Sequence, residues 1–162
     1  MELKLRVLNI LQKNARLPVT DIAKMTSVDP AEVEKVIAEL ESERAIAGYT
    51  ALVDWSKVAE QKVAALIEVK VVPQRGVGFD MIALQIAQFE EVDSVALISG
   101  GFDFMVEING RSMNEVSQFV FEKLSALDAI QSTATHFVLK KYKDHGIMTG
   151  EKATSSRRNV VL

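Results

Sequence analysis

The chain has 162 residues, a formal charge of −3, an apolar share of 48% and no cysteine. That apolar share excludes a disordered chain, and the missing cysteine excludes a disulfide framework and a thiolate zinc site. The acidic balance excludes general coating of nucleic acid but leaves a local basic patch open. The length allows one domain or two small ones. No apolar run approaches the roughly 20 residues of a membrane span. The opening residues read as a charged amphipathic helix rather than a signal peptide, so a cytoplasmic protein is expected.

The first predicted helix runs from Glu2 to Asn14. Leu3, Val7, Ile10 and Leu11 form its apolar stripe, widened by Leu5 and Leu8. Pro18 disfavours helix at Leu17 and so ends it. A short helix from Val19 to Met25, a turn at Thr26-Ser27-Val28 and a second helix from Asp29-Pro30 to about Arg44 follow. Asp29 suits the N-cap, Pro30 the first helical position, and Glu32 has capping-box spacing. Val33, Val36, Ile37 and Leu40 make one buried stripe. Held against the earlier helices, this is a helix-turn-helix, whose second helix enters the major groove.

The face opposite that stripe carries Ala31, Lys35, Ala38 and Ser42. Six acidic and two basic residues lie between Asp29 and Arg44, a poor charge balance near phosphates. The same pattern also suits a solvated charged face on a packing helix. Gly48 breaks the helical pattern, and Tyr49 to Val53 reads as a strand. Such a strand makes either a winged arrangement or a link to the next domain. Residues 54–61 read as the boundary, with Trp55 as a packing anchor there.

From Lys62 the period changes to two. Residues 63–72 read as a strand with Ala65, Ile67, Val69 and Val71 on one face. Residues 73–78 form a breaker-rich turn. A helix follows with Phe79, Ile82, Ile86 and Phe89 as its stripe. Val92 to Ile98 and Phe102 to Ile108 read as strands about a turn at Ser99-Gly100-Gly101. Ser112 caps a second helix with Glu115 three residues on; its stripe is Met113, Val116, Val120, Leu124 and Leu127. Ile130 to Tyr142 reads as a long fourth strand. The order strand-helix-strand, strand-helix-strand predicts an α+β chain with a ferredoxin-like βαββαβ domain, an antiparallel sheet with both helices on one face. Ala64, Leu66, Ala96, Ile98 and Met105 then lie on the other face, which a second copy of the domain would cover most simply. Residues 144–162 read as a solvated tail, or an arm around Arg157-Arg158.

Catalytic signals are thin. His136 falls in a strand and His145 in a loop, and no metal-ligand spacing or nucleophile elbow occurs. Gly76-Val77-Gly78 lacks the third glycine of a dinucleotide fingerprint and reads as a turn. No catalytic residue, metal or cofactor is expected. Two segments look more purposeful. The adjacent glycines of Ser99-Gly100-Gly101-Phe102-Asp103 expose backbone N–H groups to a carboxylate, and Asp103 suits an ammonium. Gln131-Ser132-Thr133-Ala134-Thr135 offers small polar side chains. Together they suit a zwitterion such as an amino acid. A hairpin turn and ordinary strand propensity explain the same residues.

These residues together resemble the Lrp/AsnC, or feast/famine, family of prokaryotic transcription regulators. The resemblance spans about Leu3 to Lys143. Residues 10–16 with Asp21-Ile22-Ala23 carry it, as do Gly48-Tyr49-Thr50-Ala51, and Ser99 to Asp103 with Ser132 to Thr135. It implies a winged helix-turn-helix domain over 1–53, a linker over 54–61, a ligand-sensing and oligomerisation domain over 62–143 and a tail over 144–162. It implies homodimers that assemble further, often to octamers, with small effectors, commonly amino acids, bound between dimers. Gly100, Gly101, Asp103, Thr133 and Thr135 are the implied effector residues. Duplex DNA is the implied partner, met by Lys24, Ala31, Lys35, Ala38, Ser42 and Arg44. Asp29-Pro30 stands where members usually carry Ser-Pro, and Val36, Ala38 and Glu39 stand where basic residues are common. The competing reading is a ligand-sensing oligomeric scaffold whose acidic helix-turn-helix is mainly a protein–protein module. A small enzyme on the same scaffold is the third.

Overall fold

The computed structural model describes residues 1–58, 62–72 and 78–149. The chain divides into two compact units, Met1–Leu52 and Val53–Leu162. The helical unit contains α1 (Glu2–Lys13), α2 (Val19–Thr26) and α3 (Pro30–Ser42). The buried Thr26 hydroxyl donates to the Ile22 carbonyl at 2.8 Å, at the end of α2. Ser27 then turns left-handed (φ 59°), and the Val28 N–H bonds the Ala23 carbonyl at 3.1 Å. Asp29 accepts from the Ala31 N–H at 2.9 Å, which satisfies one of the free donors of α3. Val33, Val36 and Leu40 pack with Val7, Leu11, Ile22 and Ala23 into one core, with Ile37 at its margin. Each buried aliphatic side chain there contributes about 1.5–3 kcal/mol.

Tyr49 to Val53 is not a strand: these residues are exposed and carry no ladder. A strand needs a neighbour for its backbone groups, and the described residues of the helical unit contain only helices. α3 instead ends through a turn. Arg44 is left-handed (φ 55°), and the Ile46 N–H bonds the Leu40 carbonyl at 3.0 Å.

The second unit begins near a short 3₁₀ turn, Trp55–Lys57, where the Lys62 ammonium lies 4.2 Å from the Trp55 ring centroid. Its elements are β1 (Val63–Val71), α4 (Phe79–Ala87), β2 (Val92–Leu97), β3 (Phe104–Gly110), α5 (Met113–Phe119) and β4 (Ile130–Phe137). The sheet order is β2-β3-β1-β4, with every neighbouring pair antiparallel. This is the expected ferredoxin-like arrangement. Ala65, Ile67, Val69 and Val71 from β1 join Phe104, Val106 and Ile108 from β3 under Ile82, Ile86, Val116, Phe119 and Leu124. Phe89 meets Phe119 edge-on at 5.5 Å between centroids.

Several details differ from expectation: Phe79 of the α4 stripe is partly exposed, β2 ends at Leu97 and β3 runs on to Gly110. Met113 is half exposed, because it sits at the first turn of α5 ahead of the buried Val116. α5 runs into a π turn, Val120–Leu124, closed by the Ser125 N–H on the Val120 carbonyl at 2.8 Å. β3 starts two residues later than expected, because Asp103 is taken up in the turn before it. β4 stops at Phe137 rather than Tyr142, because its partner β1 begins at Val63; the Val138 N–H still reaches the Ala64 carbonyl at 2.9 Å. The chain beyond makes a hairpin of β5 (Lys143–Asp144) and β6 (Ile147–Met148). His145 (φ 43°) and Gly146 (φ 83°) supply the two left-handed residues of that turn. The turn expected over 73–78, with Gly76 and Val77, lies outside the described residues except for Gly78. The tail from Gly150, with Arg157 and Arg158, lies outside them entirely. No described helix is long and apolar enough to cross a membrane.

The sheet face away from the helices is mixed. Ala64, Leu66 and Met105 are half-buried and Ala96 is exposed. Beside them lie Glu68 and His136, whose Nε2 is 3.2 Å from the Glu68 Oε1. Glu107 on the same face is paired with Lys141 at 2.8 Å, which raises the Lys141 pKa.

Candidate functional site

The first candidate surface is the outer side of α3. Ala31, Lys35, Ala38 and Ser42 are all exposed there, as their spacing requires. The Ser42 hydroxyl donates to the Glu39 carbonyl at 2.8 Å. Lys24, on α2, pairs with Asp21 at 3.0 Å. Arg44 lies past the end of α3 and lines a shallow cavity with Glu41, Ile46 and Tyr49.

The acidic surround is less bare than the sequence suggests. The Lys4 ammonium reaches Glu43 at 2.8 Å and Glu39 at 3.2 Å, and both carboxylates raise its pKa. The Tyr49 hydroxyl donates to Glu41 at 2.8 Å; burial, then that hydrogen bond, pushes the phenol up. These contacts are exposed and add little stability, but they orient charge around the helix face. Lys4 was missed in the sequence because its partners lie 35 and more residues away. Only the packing of α1 against α3 brings them together.

The second candidate surface is one end of the sheet. Gly100 and Gly101 are exposed in the loop between β2 and β3. A Cβ on Gly101 would meet nothing within 4 Å, and one on Gly100 only the Ile98 side chain at an ordinary 3.7 Å. Neither glycine has the positive φ that would demand it. Gly110 is the contrast: a Cβ there would lie 2.9 Å from Val116 Cγ2. Packing among the described residues thus explains Gly110 and gives no reason for Gly100 and Gly101, as it gives none for Gly48 and Gly78.

Asp103 closes the loop. Its carboxylate accepts from the Val71 N–H at 2.9 Å, its N–H donates to the Val69 carbonyl at 3.0 Å, and its carbonyl accepts from Ile98 at 2.8 Å. Thr133 and Thr135 are half-buried on β4, opposite Val69 and Ile67, and so point to the helix-covered side. Phe104 and Thr133 both pair with Val69. The loop and Thr133 therefore share an end of the sheet, separated by β1 and roughly two strand spacings, about 9.6 Å. Elsewhere in the unit His145 Nδ1 lies 2.9 Å from Asp144 Oδ1, and His136 Nε2 lies 3.2 Å from Glu68 Oε1.

Comparison with known proteins agrees with this two-part geometry. Residues 2–46 match the family model described as winged helix-turn-helix DNA-binding, and residues 64–148 match the one described as the Lrp/AsnC ligand binding domain. The chain is 49% identical over 146 residues to YugG, an uncharacterized HTH-type transcriptional regulator of Bacillus subtilis, covering 90% of this chain and 88% of that one. It is 24% identical to the leucine-responsive regulatory protein of Haemophilus influenzae, over 86% and 83% of the two chains. In fold it is similar to a transcriptional regulator from Neisseria meningitidis crystallised as an L-Met complex. That match has a TM-score of 0.71 and 23% identity, over 91% of this chain and 95% of that one.

Proposed function

The chain belongs to the Lrp/AsnC family of transcriptional regulators, and from that premise we propose that the effector it senses is an amino acid. Its helical unit is a DNA-binding helix-turn-helix and its sheet unit a ligand-binding domain, so it is an effector-responsive regulator. The observation that carries the proposal is the exposed glycine pair, which neither backbone conformation nor packing requires. Backbone N–H groups approachable at Gly100 and Gly101 suit a carboxylate. The hydroxyls of Thr133 and Thr135 suit the rest of a zwitterion, with Asp103 at the base of the loop. The L-Met complex of the Neisseria protein and the leucine-responsive name of the Haemophilus protein support the ligand class.

The loop and β4 stand on opposite sides of β1 in one chain, and in this reading the site is completed in an assembly. A homodimer closes over the mixed sheet face, and dimers associate further, to an octamer or similar, with effector held between them. On the DNA side, Ala31, Lys35, Ala38 and Ser42 enter the groove while Lys24 and Arg44 meet phosphates. Effector changes DNA affinity only by binding one arrangement of subunits better than another.

The test is a selection of genomic fragments on the full chain, with and without L-methionine and L-leucine, followed by affinity against salt. Steeply falling affinity with salt and a shift with amino acid are expected. Absence of DNA retention at low salt would instead favour the scaffold reading.

A further inference from the structure

In the strand register, β1 outruns its neighbour β3. β3 begins at Phe104, opposite Val69, whereas β1 continues to Val71. Val71 is 7% exposed, so its N–H is largely shielded from water. On the β4 side, the pairing register also shifts between Lys70 and Val71. The donor is met by a side chain: the Asp103 carboxylate accepts it at 2.9 Å. The same residue ties β1 again through its N–H on the Val69 carbonyl, and its carbonyl accepts from the N–H of Ile98, the residue just past the end of β2. Ser99 to Phe102 is thus a stretch of four residues closed by the Ile98–Asp103 hydrogen bond and anchored to β1 through Asp103.

We infer that Asp103 is a positioning residue for the glycine loop, and that its carboxylate serves the Val71 N–H rather than an effector ammonium. This rests on the reading of Gly100 and Gly101 as the effector's carboxylate site, and assigns a different role to the acidic residue beside them. A carboxylate that holds an ammonium draws much of its strength from its negative charge. A strand-end acceptor needs only an oxygen in the right place. The two roles therefore separate on one isosteric change. Asp103→Asn keeps an oxygen for Val71 and removes the charge, whereas Asp103→Ala removes both.

The experiment is amide hydrogen exchange on the full-length protein and both variants, paired with the change in DNA affinity caused by L-methionine and by L-leucine. Asp103→Ala should speed Val71 exchange about tenfold or more, with faster exchange across Ser99 to Phe102. Asp103→Asn should stay near wild type in exchange and keep whatever amino-acid response the wild type has. Unchanged Val71 exchange in Asp103→Ala overturns the inference, as does loss of the response in Asp103→Asn as complete as in Asp103→Ala. Should Asp103→Ala not fold, the Asp103→Asn arm decides alone: protected Val71 supports the inference and unprotected Val71 overturns it. A wild type that ignores both amino acids while Val71 follows the acceptor rule sinks the effector reading and leaves the role of Asp103 standing.

Discussion

The helical unit and the sheet unit solve the same problem in different ways. Three helices close a core from stripes whose members lie within two turns of each other, and the exposed face of α3 is what remains after that closure. The sheet unit buries one face under α4 and α5 and leaves the other mixed and half-covered. The first presents a working surface complete in one chain. The second leaves a partly exposed sheet face and an exposed glycine loop. Local patterning suffices to close the helical core, whereas the sheet unit leaves one face of its sheet only partly buried.

The sharpest way to break that comparison is to damage one core and watch the other. Phe104→Ala removes a fully buried ring and should cost the sheet unit about 3–5 kcal/mol. Thermal unfolding should show its transition falling while the helical one holds; a joint fall would mean the two cores are one cooperative system. Next come the glycines. Gly110→Ala should cost about 1–3 kcal/mol by forcing Val116 aside, while Gly101→Ala should change stability by no more than about 0.5 kcal/mol. Gly101→Val should fold and lose the amino-acid response; a normal response would remove the loop from the site. On the DNA side, Lys35→Glu should lower affinity about tenfold at low salt, with the oligomer unchanged. Asp29→Ala should cost the helical unit about 1 kcal/mol through loss of its cap, read as a lower unfolding midpoint.

The smallest effect concerns pH. The Lys123 ammonium hydrogen-bonds Glu91 and holds its carboxyl below the ordinary 4.5, against the opposing pull of burial. A group depressed in the folded state adds stability above its unfolded pKa and loses it as pH falls through the folded value. Sheet-unit stability should therefore drop below pH 4.5 by at most about 1 kcal/mol, given the exposure of the pair. Glu91→Gln should remove that portion of the acid sensitivity. An unchanged acid profile would show that the pair adds nothing.

Most elements were legible in the chain because they are periodic. The stripe Val33, Val36, Ile37, Leu40 and the alternation Ala65, Ile67, Val69, Val71 each name a buried face from residues close in sequence. The caps Asp29 and Ser112 were legible for the same reason: each bonds a backbone group two or three residues away. The segment Tyr49 to Val53 shows the limit. Its residues favour a strand, but a strand exists only where another supplies partners. β4 shows it again, ending where β1 runs out.

By itself, then, the order of residues determined which faces are apolar, where helices start, and that the chain joins a helix-turn-helix to a βαββαβ sheet. Periodicity and capping act over a few residues, so they survive in a linear string. Only the folded arrangement decided that Lys4 moderates the acids of α3, and that Asp103 answers an N–H on a strand 32 residues earlier. It alone also shows that a Cβ at Gly100 or Gly101 would crowd none of the described residues. Those are statements about distance in space, which depends on packing and strand register rather than on neighbours along the chain.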